Sequence, residues 1–276
     1  MLNYAKFRPS YIILMENFTG TCFLSSIPLR AKPSHQSEMI SQLLFADTFE
    51  VFEKEEEWLQ VKTHNDAYIG WLDAKQIVAL DDSLAGLKET TQFLTNEANT
   101  LVLKGSAKSP IYLHAGTTLP NYNEGKFTLA GESYQVTSSN VFAPNSEDFE
   151  VNVTETSKAF LNVPYLWGGR THAGIDCSGF SQIVYKMLGL KINRDAWQQA
   201  EQGRVVDFLT EAKAGDLAFF DNAEGKITHV GIMLNNSQII HASGRVKIDR
   251  IDNQGIFALD QNKYSHKLRI IKRMSE

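Results

Sequence analysis

Cysteine is nearly missing from this chain of 276 residues, which carries only Cys22 and Cys177. Two are too few for a disulfide framework, so a reducing compartment is expected and each thiol needs its own explanation. Long apolar runs are missing too. No stretch approaches the roughly 20 residues that a membrane-spanning helix requires. The run Tyr11-Ile12-Ile13-Leu14-Met15, behind Lys6 and Arg8, is cut short by Glu16 and Asn17, and no small-residue cleavage site follows it. The expectation is a soluble cytoplasmic protein that does not enter a membrane, with residues 1–15 irregular; a misassigned start would allow a periplasmic one. Positive charge is not in excess either. With 27 Lys and Arg against 32 Asp and Glu the formal net charge is -5, which leaves no basic footprint for nucleic acid. His35, His64, His114, His172 and His266 lack the pairing of a zinc site and read as surface or structural groups. No metal or cofactor is expected.

What remains is ordinary globular material, 43% hydrophobic and 21% charged, which excludes disorder. Its length suits two or three domains. From about Cys22 to Leu80 short apolar segments alternate with turns: Phe23 to Leu29, Leu43 to Phe45, Phe49 to Phe52, Trp58 to Val61 and Tyr68 to Leu72. That texture predicts a small all-β barrel over residues 1–80. A second small barrel is expected over 81–150, where Thr100 to Leu103, Ile111 to Leu113, Lys126 to Leu129 and Tyr134 to Val136 are punctuated by Gly105, Gly116, Gly125 and Gly131. After Ala143-Pro144-Asn145-Ser146, a helix from Val153 to Leu161 leads into residues 151–276, where helices come first and strands follow, an α+β signature.

The chemistry lies in this last block. Asp176-Cys177-Ser178-Gly179 follows a glycine-rich approach, Trp167-Gly168-Gly169-Arg170 and Gly174, and precedes the helical apolar pattern Phe180, Ile183, Val184, Met187, Leu188. A thiol at a helix N-terminus meets unpaired N–H groups and the positive end of the helix dipole, which favour a thiolate, and a neighbouring imidazolium would lower its pKa further. Downstream, His229 in Ile227–Leu234 and His241 in Gln238–Ala242 occupy strand-like segments joined by the turn Asn235-Asn236-Ser237. Such a hairpin sets both rings on one sheet face. His229 would then meet the thiol through one ring nitrogen while His241 orients it through the other. A lone cysteine is usually a small core residue, and a lone strand histidine is usually a packed one. The conjunction of all three favours catalysis.

Pro164-Tyr165-Leu166-Trp167-Gly168-Gly169, Asp176-Cys177-Ser178-Gly179, Gly215-Asp216-Leu217, Thr228-His229-Val230-Gly231 and Ile240-His241-Ala242, in that order, make residues 150–276 resemble the NlpC family of papain-like cysteine peptidases. In the first block, Glu55-Glu56-Glu57-Trp58-Leu59-Gln60-Val61 and Tyr68-Ile69-Gly70-Trp71-Leu72 are similar to bacterial SH3-type domains. Two such barrels, with Arg30-Ala31-Lys32-Pro33-Ser34 and Ser37-Glu38-Met39-Ile40-Ser41-Gln42, further resemble the γ-D-glutamyl-L-diamino acid endopeptidases that act on cell-wall peptides.

The resemblance implies a papain-like α+β catalytic domain behind two SH3-type barrels, and hydrolysis of the γ-D-glutamyl-L-diamino acid bond in murein peptides with a free N-terminal L-Ala, in peptidoglycan turnover or recycling. It implies Cys177 as nucleophile, His229 as base, His241 as orienting third member, and Tyr165 with the Cys177 N–H as oxyanion hole. Asp176 and Ser178 are implied to grip the L-Ala amine and the adjacent peptide, Glu38 and Tyr68 to join them from the first barrel, and Trp167, Arg194 and Asp195 to contact substrate. Ala196 departs from the family, where serine is frequent. An amidase or acyltransferase on the same scaffold is the nearest rival. A non-catalytic wall-binding module is a rival of another class, against which the intact Cys177, His229 and His241 argue.

Overall fold

The computed structural model describes residues 17–80 and 92–275. The expectation of an irregular stretch at residues 1–15, and the start of the second block at 81–91, lie outside the described residues.

The first unit contains β1 (Phe18–Cys22), β2 (Ser26–Arg30), β3 (Met39–Leu44), β4 (Thr48–Glu55), β5 (Trp58–Thr63), β6 (Ile69–Asp73) and β7 (Ile77–Ala79). They form one antiparallel sheet in the order β3-β2-β6-β5-β4-β1-β7. Strand alternation sends Ile27, Leu29, Phe49, Val51, Leu59 and Val61 into a common core. β1 begins before the expected first strand because Phe18-Thr19-Gly20-Thr21-Cys22 lacks apolar alternation. Its glycine is there for packing, since a Cβ on Gly20 would lie 2.5 Å from the Phe49 ring.

The second unit has β8 (Phe93–Thr95), β9 (Thr100–Lys104), β10 (Ser109–Leu113), β11 (Thr118–Leu119), β12 (Lys126–Leu129), β13 (Glu132–Val136) and β14 (Val141–Phe142), arranged as two sheets, β10-β9-β13-β12 and β11-β8-β14. Phe127 stacks on Tyr134 at 4.9 Å in its core.

The third unit opens with α1 (Phe149–Lys158), the short pair β15 (Arg170–Thr171) and β16 (Gly174–Ile175), α2 (Cys177–Met187), α3 (Ala196–Gln199) and β17 (Arg204–Val206). It continues through β18 (Leu217–Asp221), β19 (Ile227–Asn235), β20 (Gln238–Ser243), β21 (Arg245–Asp252), β22 (Gly255–Ala258) and β23 (Lys263–Arg273). Each of β18 to β23 pairs with the next, and β23 returns to β18, which closes a six-stranded barrel. Sheet dominates this unit more than the α+β pattern suggested, and its helices are few and short. Val230, Ile232, Ile240, Ala242 and Val246 face α2 in the largest core, while the alternate residues Met233, Ile239 and Ile251 gather with Phe220 and Ile256 in another.

The units are tied at one tripeptide. Leu43 belongs to the first barrel's core, Leu44 to the core around α2 and Phe45 to the core of the second unit, each at most 1% exposed.

Candidate active site

Asp176 ends the β16 segment in extended conformation and caps α2, its Oδ1 accepting the Gly179 N–H at 2.6 Å. Gly179 is required because a Cβ there would lie 2.3 Å from the Gly169 carbonyl oxygen, where the glycine-rich loop crosses the first turn. Cys177 therefore sits at the helix start, as expected, but it is only 7% exposed. Burial, and secondarily the Asp176 carboxylate, push its thiol up to about 12, against backbone hydrogen bonds from Val230 and Ser178 and the charge of Arg194. The thiolate expected from helix-start placement is thus overturned: desolvation of a nearly enclosed sulfur outweighs the amides around it. At rest the Cys177 sulfur is a neutral thiol. Alkylation of Cys177 by iodoacetamide, followed by peptide mapping, is accordingly expected to accelerate with pH through 9 and beyond. A rate already level below pH 8 would show a resting thiolate.

His229 and His241 lie on adjacent strands with their rings on one face, as the hairpin expectation required. His229 Nε2 is 2.8 Å from His241 Nδ1, which leaves His229 Nδ1 for the thiol side. Among the described residues the thiol makes no hydrogen bond to an imidazole; its tie to this strand is the backbone of Val230, the residue after His229. Burial holds His229 well below the ordinary imidazole range, with His241 and then His266 adding to the effect. Burial also lowers His241, against the opposing pull of Asp249. Both rings are neutral near pH 7.

His266, expected from sequence to be a surface or structural group, lies beside the two strand histidines. It is half-buried on β23 and stacks on His229 with centroids 4.1 Å apart. Burial, with lesser contributions from His241 and Lys247, lowers it to about 4. Nitrogens of His229, His241 and His266 fall within 4.8 Å of one another, close enough to raise the question of a metal. The stacked planes of His229 and His266 lie within 22° of parallel, so their in-plane lone pairs do not converge, and the first two rings already satisfy each other. Behind His241, Asp249 Oδ2 lies 3.0 Å from its Nε2.

The expected substrate residues gather at the junction with the first barrel. Arg194, 1% exposed, grips Asp176 with Nη1 at 3.1 Å and Nη2 at 2.7 Å, donates to Ser178 Oγ at 2.9 Å, and reaches Ser41 Oγ of β3 with Nε at 2.8 Å. The Gly168 N–H gives Asp176 a further bond at 2.8 Å. Gly168 has φ +76°, and a Cβ there would meet the Met39 carbonyl at 2.4 Å, so the barrel backbone rests directly on this loop. Tyr68 donates to both oxygens of Asp195, at 2.9 and 3.0 Å. The exposed Trp167 donates from Nε1 to Glu38 Oε1 at 2.7 Å. Burial raises the half-buried Asp195, more than Tyr68 and Arg194 offset. Burial, together with Cys177 and Asp176, keeps the Tyr165 hydroxyl protonated far above neutrality.

A profile of the NlpC/P60 family matches residues 162–261, and one described as bacterial dipeptidyl-peptidase Sh3 domain matches residues 29–77. The γ-D-glutamyl-L-lysine dipeptidyl-peptidase of Bacillus subtilis (strain 168) is 30% identical over 216 residues, covering 73% of this chain and 71% of that protein. The chain belongs to the NlpC/P60 family. It is a cysteine peptidase with an N-terminal SH3-type domain. Dipeptidyl-peptidase 6 of Lysinibacillus sphaericus is 26% identical over 254 residues, covering 82% of this chain and 89% of that one. The fold matches that of an NlpC/P60 family protein from Bacillus cereus ATCC 10987 with a TM-score of 0.79 and 21% identity, over 94% of this chain and 100% of the other.

Within this NlpC/P60 chain the structure brings together Cys177, Asp176, Ser178, Arg194 and Tyr165 on one side, His229 and His241 beside them through Val230, and Tyr68, Asp195, Glu38 and Trp167 at the barrel edge. Sequence reading missed Asp249. The available signal was Lys247 and Asp249, two charges at strand spacing between Val246, Ile248 and Ile251, in a segment whose inward face must be paid for by pairing.

Proposed function

We propose that this NlpC/P60 peptidase hydrolyses the bond between a γ-linked D-glutamate and an L-diamino acid in murein-derived peptides that begin with a free L-Ala amine, in peptidoglycan turnover or recycling. The observation that carries the reading is the charge at the barrel edge. Asp176 is already neutralised by the buried Arg194, whereas Asp195 and Glu38 have no cationic hydrogen-bond partner among the described residues, and both face contacts from the other unit through Tyr68 and Trp167. Carboxylates with no cationic hydrogen-bond partner, Asp195 half-buried and Glu38 exposed, suit an ammonium at this edge. The name of the Bacillus subtilis relative agrees with the γ-D-glutamyl-L-diamino acid bond. The chain is read as three units, 1–80, 81–150 and 151–276, the second being another SH3-type barrel and the third an α+β papain-like domain.

In this mechanism Cys177 Sγ attacks the γ-carbonyl carbon as its proton passes to His229 Nδ1. The oxyanion takes hydrogen bonds from the Cys177 N–H and the protonated Tyr165 hydroxyl. The His229 imidazolium then protonates the departing amine as the C–N bond breaks, leaving a γ-glutamyl thioester. A water, deprotonated by His229, hydrolyses the thioester and returns the proton to sulfur. No step requires a further group.

The test is incubation with L-Ala-γ-D-Glu-L-lysine, its diaminopimelate counterpart and their N-acetylated forms, with products identified by mass spectrometry. Release of the free diamino acid from the free-amine peptides is expected. Acetylation removes a charged hydrogen bond at a partly exposed edge, worth about 1.5–3 kcal/mol or roughly tenfold to a hundredfold, and Glu38→Gln is expected to narrow that gap. Equal rates on acetylated and free peptides would refute recognition of the free amine.

A further inference from the structure

We infer that Asp249 is a positioning residue that fixes the tautomer of His229 through His241. The inference rests on His229 being the base of the proposed reaction, and it concerns which nitrogen of that base is free.

The chain of contacts runs one way. In the β20–β21 register His241 faces Lys247 and Ile239 faces Asp249, so Asp249 lies diagonally beside His241 on the same sheet face. Asp249 Oδ2 is 3.0 Å from His241 Nε2, its Oδ1 accepts the Leu259 N–H at 2.9 Å, and both groups are almost fully buried. Lys247 Nζ stands 3.3 Å from Asp249 Oδ2 and 2.9 Å from each oxygen of the more exposed Asp260. These contacts favour the carboxylate, and Asp249 is lowered to about 2: burial opposes ionisation, but the His241 hydrogen bond, the Leu259 amide and Lys247 prevail.

An ionised carboxylate only accepts. The hydrogen between Asp249 and His241 must therefore sit on His241 Nε2. A neutral His241 with its proton on Nε2 has a lone pair on Nδ1, so the 2.8 Å contact to His229 Nε2 can only be a donation from His229. His229 then carries its hydrogen on Nε2 and presents a bare Nδ1, the form able to take the thiol proton. When His229 becomes an imidazolium its Nε2–H still points at a full acceptor, so no hydrogen has to move along the relay during the reaction. The same contacts with an amide at position 249 reverse the order. An amide NH₂ donates to His241 Nε2, which puts the hydrogen on Nδ1, and His229 Nε2 must then accept and Nδ1 is blocked.

The test pairs ¹⁵N spectra of imidazole-labelled protein with kinetics. In the wild type both His229 and His241 are expected to be protonated on Nε2; a His229 protonated on Nδ1 overturns the inference without any variant. In Asp249→Asn, with folding confirmed by its thermal transition, the His229 hydrogen is expected on Nδ1 and kcat reduced by roughly a hundredfold to ten-thousandfold, as a wrong tautomer does in related triads, with KM nearly unchanged. A folded Asp249→Asn that retains the Nε2 tautomer overturns it. Added to His241→Asn, the same substitution is expected to lower kcat by less than about threefold further, because its route has already been removed; a full second loss would mean that Asp249 does not act through His241. A flipped tautomer with undiminished kcat would support the positioning and refute His229 as the base, which separates the two readings.

Discussion

Cys177→Ala is expected to bring hydrolysis of the free-amine peptide to background, a loss of about 10⁵-fold or more, in a protein that still folds. The substitution removes a sulfur at the start of α2 and leaves its Cβ, a cavity of about methyl size costing ~1 kcal/mol. Asp176 continues to cap the helix through Gly179. His229→Ala is expected to cost nearly as much in rate, since the thiol is neutral at rest and has no means of losing its proton without a base. It costs more in stability, about 1–3 kcal/mol, because His241 Nδ1 is left buried without a partner. Product formation followed by mass spectrometry, alongside thermal unfolding of each variant, checks both. A folded Cys177→Ala that turns over at the wild-type rate would remove the sulfur from the reaction.

Arg194→Met carries the largest expected effect on stability. Arg194 is as buried as a core leucine, yet it holds two bonds to Asp176, one to Ser178 and one to Ser41 across the barrel junction. Removing the guanidinium leaves the Asp176 carboxylate buried and uncompensated, at a cost of about 3–5 kcal/mol, or on the order of 10 °C in melting temperature for a chain of this size. The double variant Asp176→Asn, Arg194→Met removes the stranded charge and is expected to recover part of the loss. Calorimetry of the two variants decides the matter. If the single variant melts with the wild type, the pair does not hold the site; if the double melts lower than the single, the penalty is not that of an unpaired charge.

Much of this was legible in the sequence, for identifiable reasons. The helix behind Cys177 and the hairpin bearing His229 and His241 follow from apolar periodicity and a turn signal, which act over a few residues and survive in any context. The apolar segment read from Tyr68 to Leu72 is β6, which begins one residue later, at Ile69. What could not be read were properties of enclosure. The protonation of Cys177 depends on how completely distant segments cover the sulfur, and local motif chemistry gave the opposite sign. His266 reaches His229 only because β23 closes the barrel against β18, a pairing across about fifty residues that no local pattern announces. Arg194 was read by its place in the chain as a substrate contact; that it also pairs with Asp176 is visible only when both are folded. Likewise β1 was obscured by Gly20, whose packing against Phe49 is a tertiary fact.

Leu43, Leu44 and Phe45 leave β3 and its turn in three directions, one side chain to each core. An articulated joint at this point would need to pull at least one large apolar side chain into water with every excursion, at about 1.5–3 kcal/mol apiece. The junction of the three units is therefore a fixed seam. The distance from Glu38 and Tyr68 on the first barrel to Cys177 on α2 is set when the chain folds, as the span of a fixed gauge is set when it is cut.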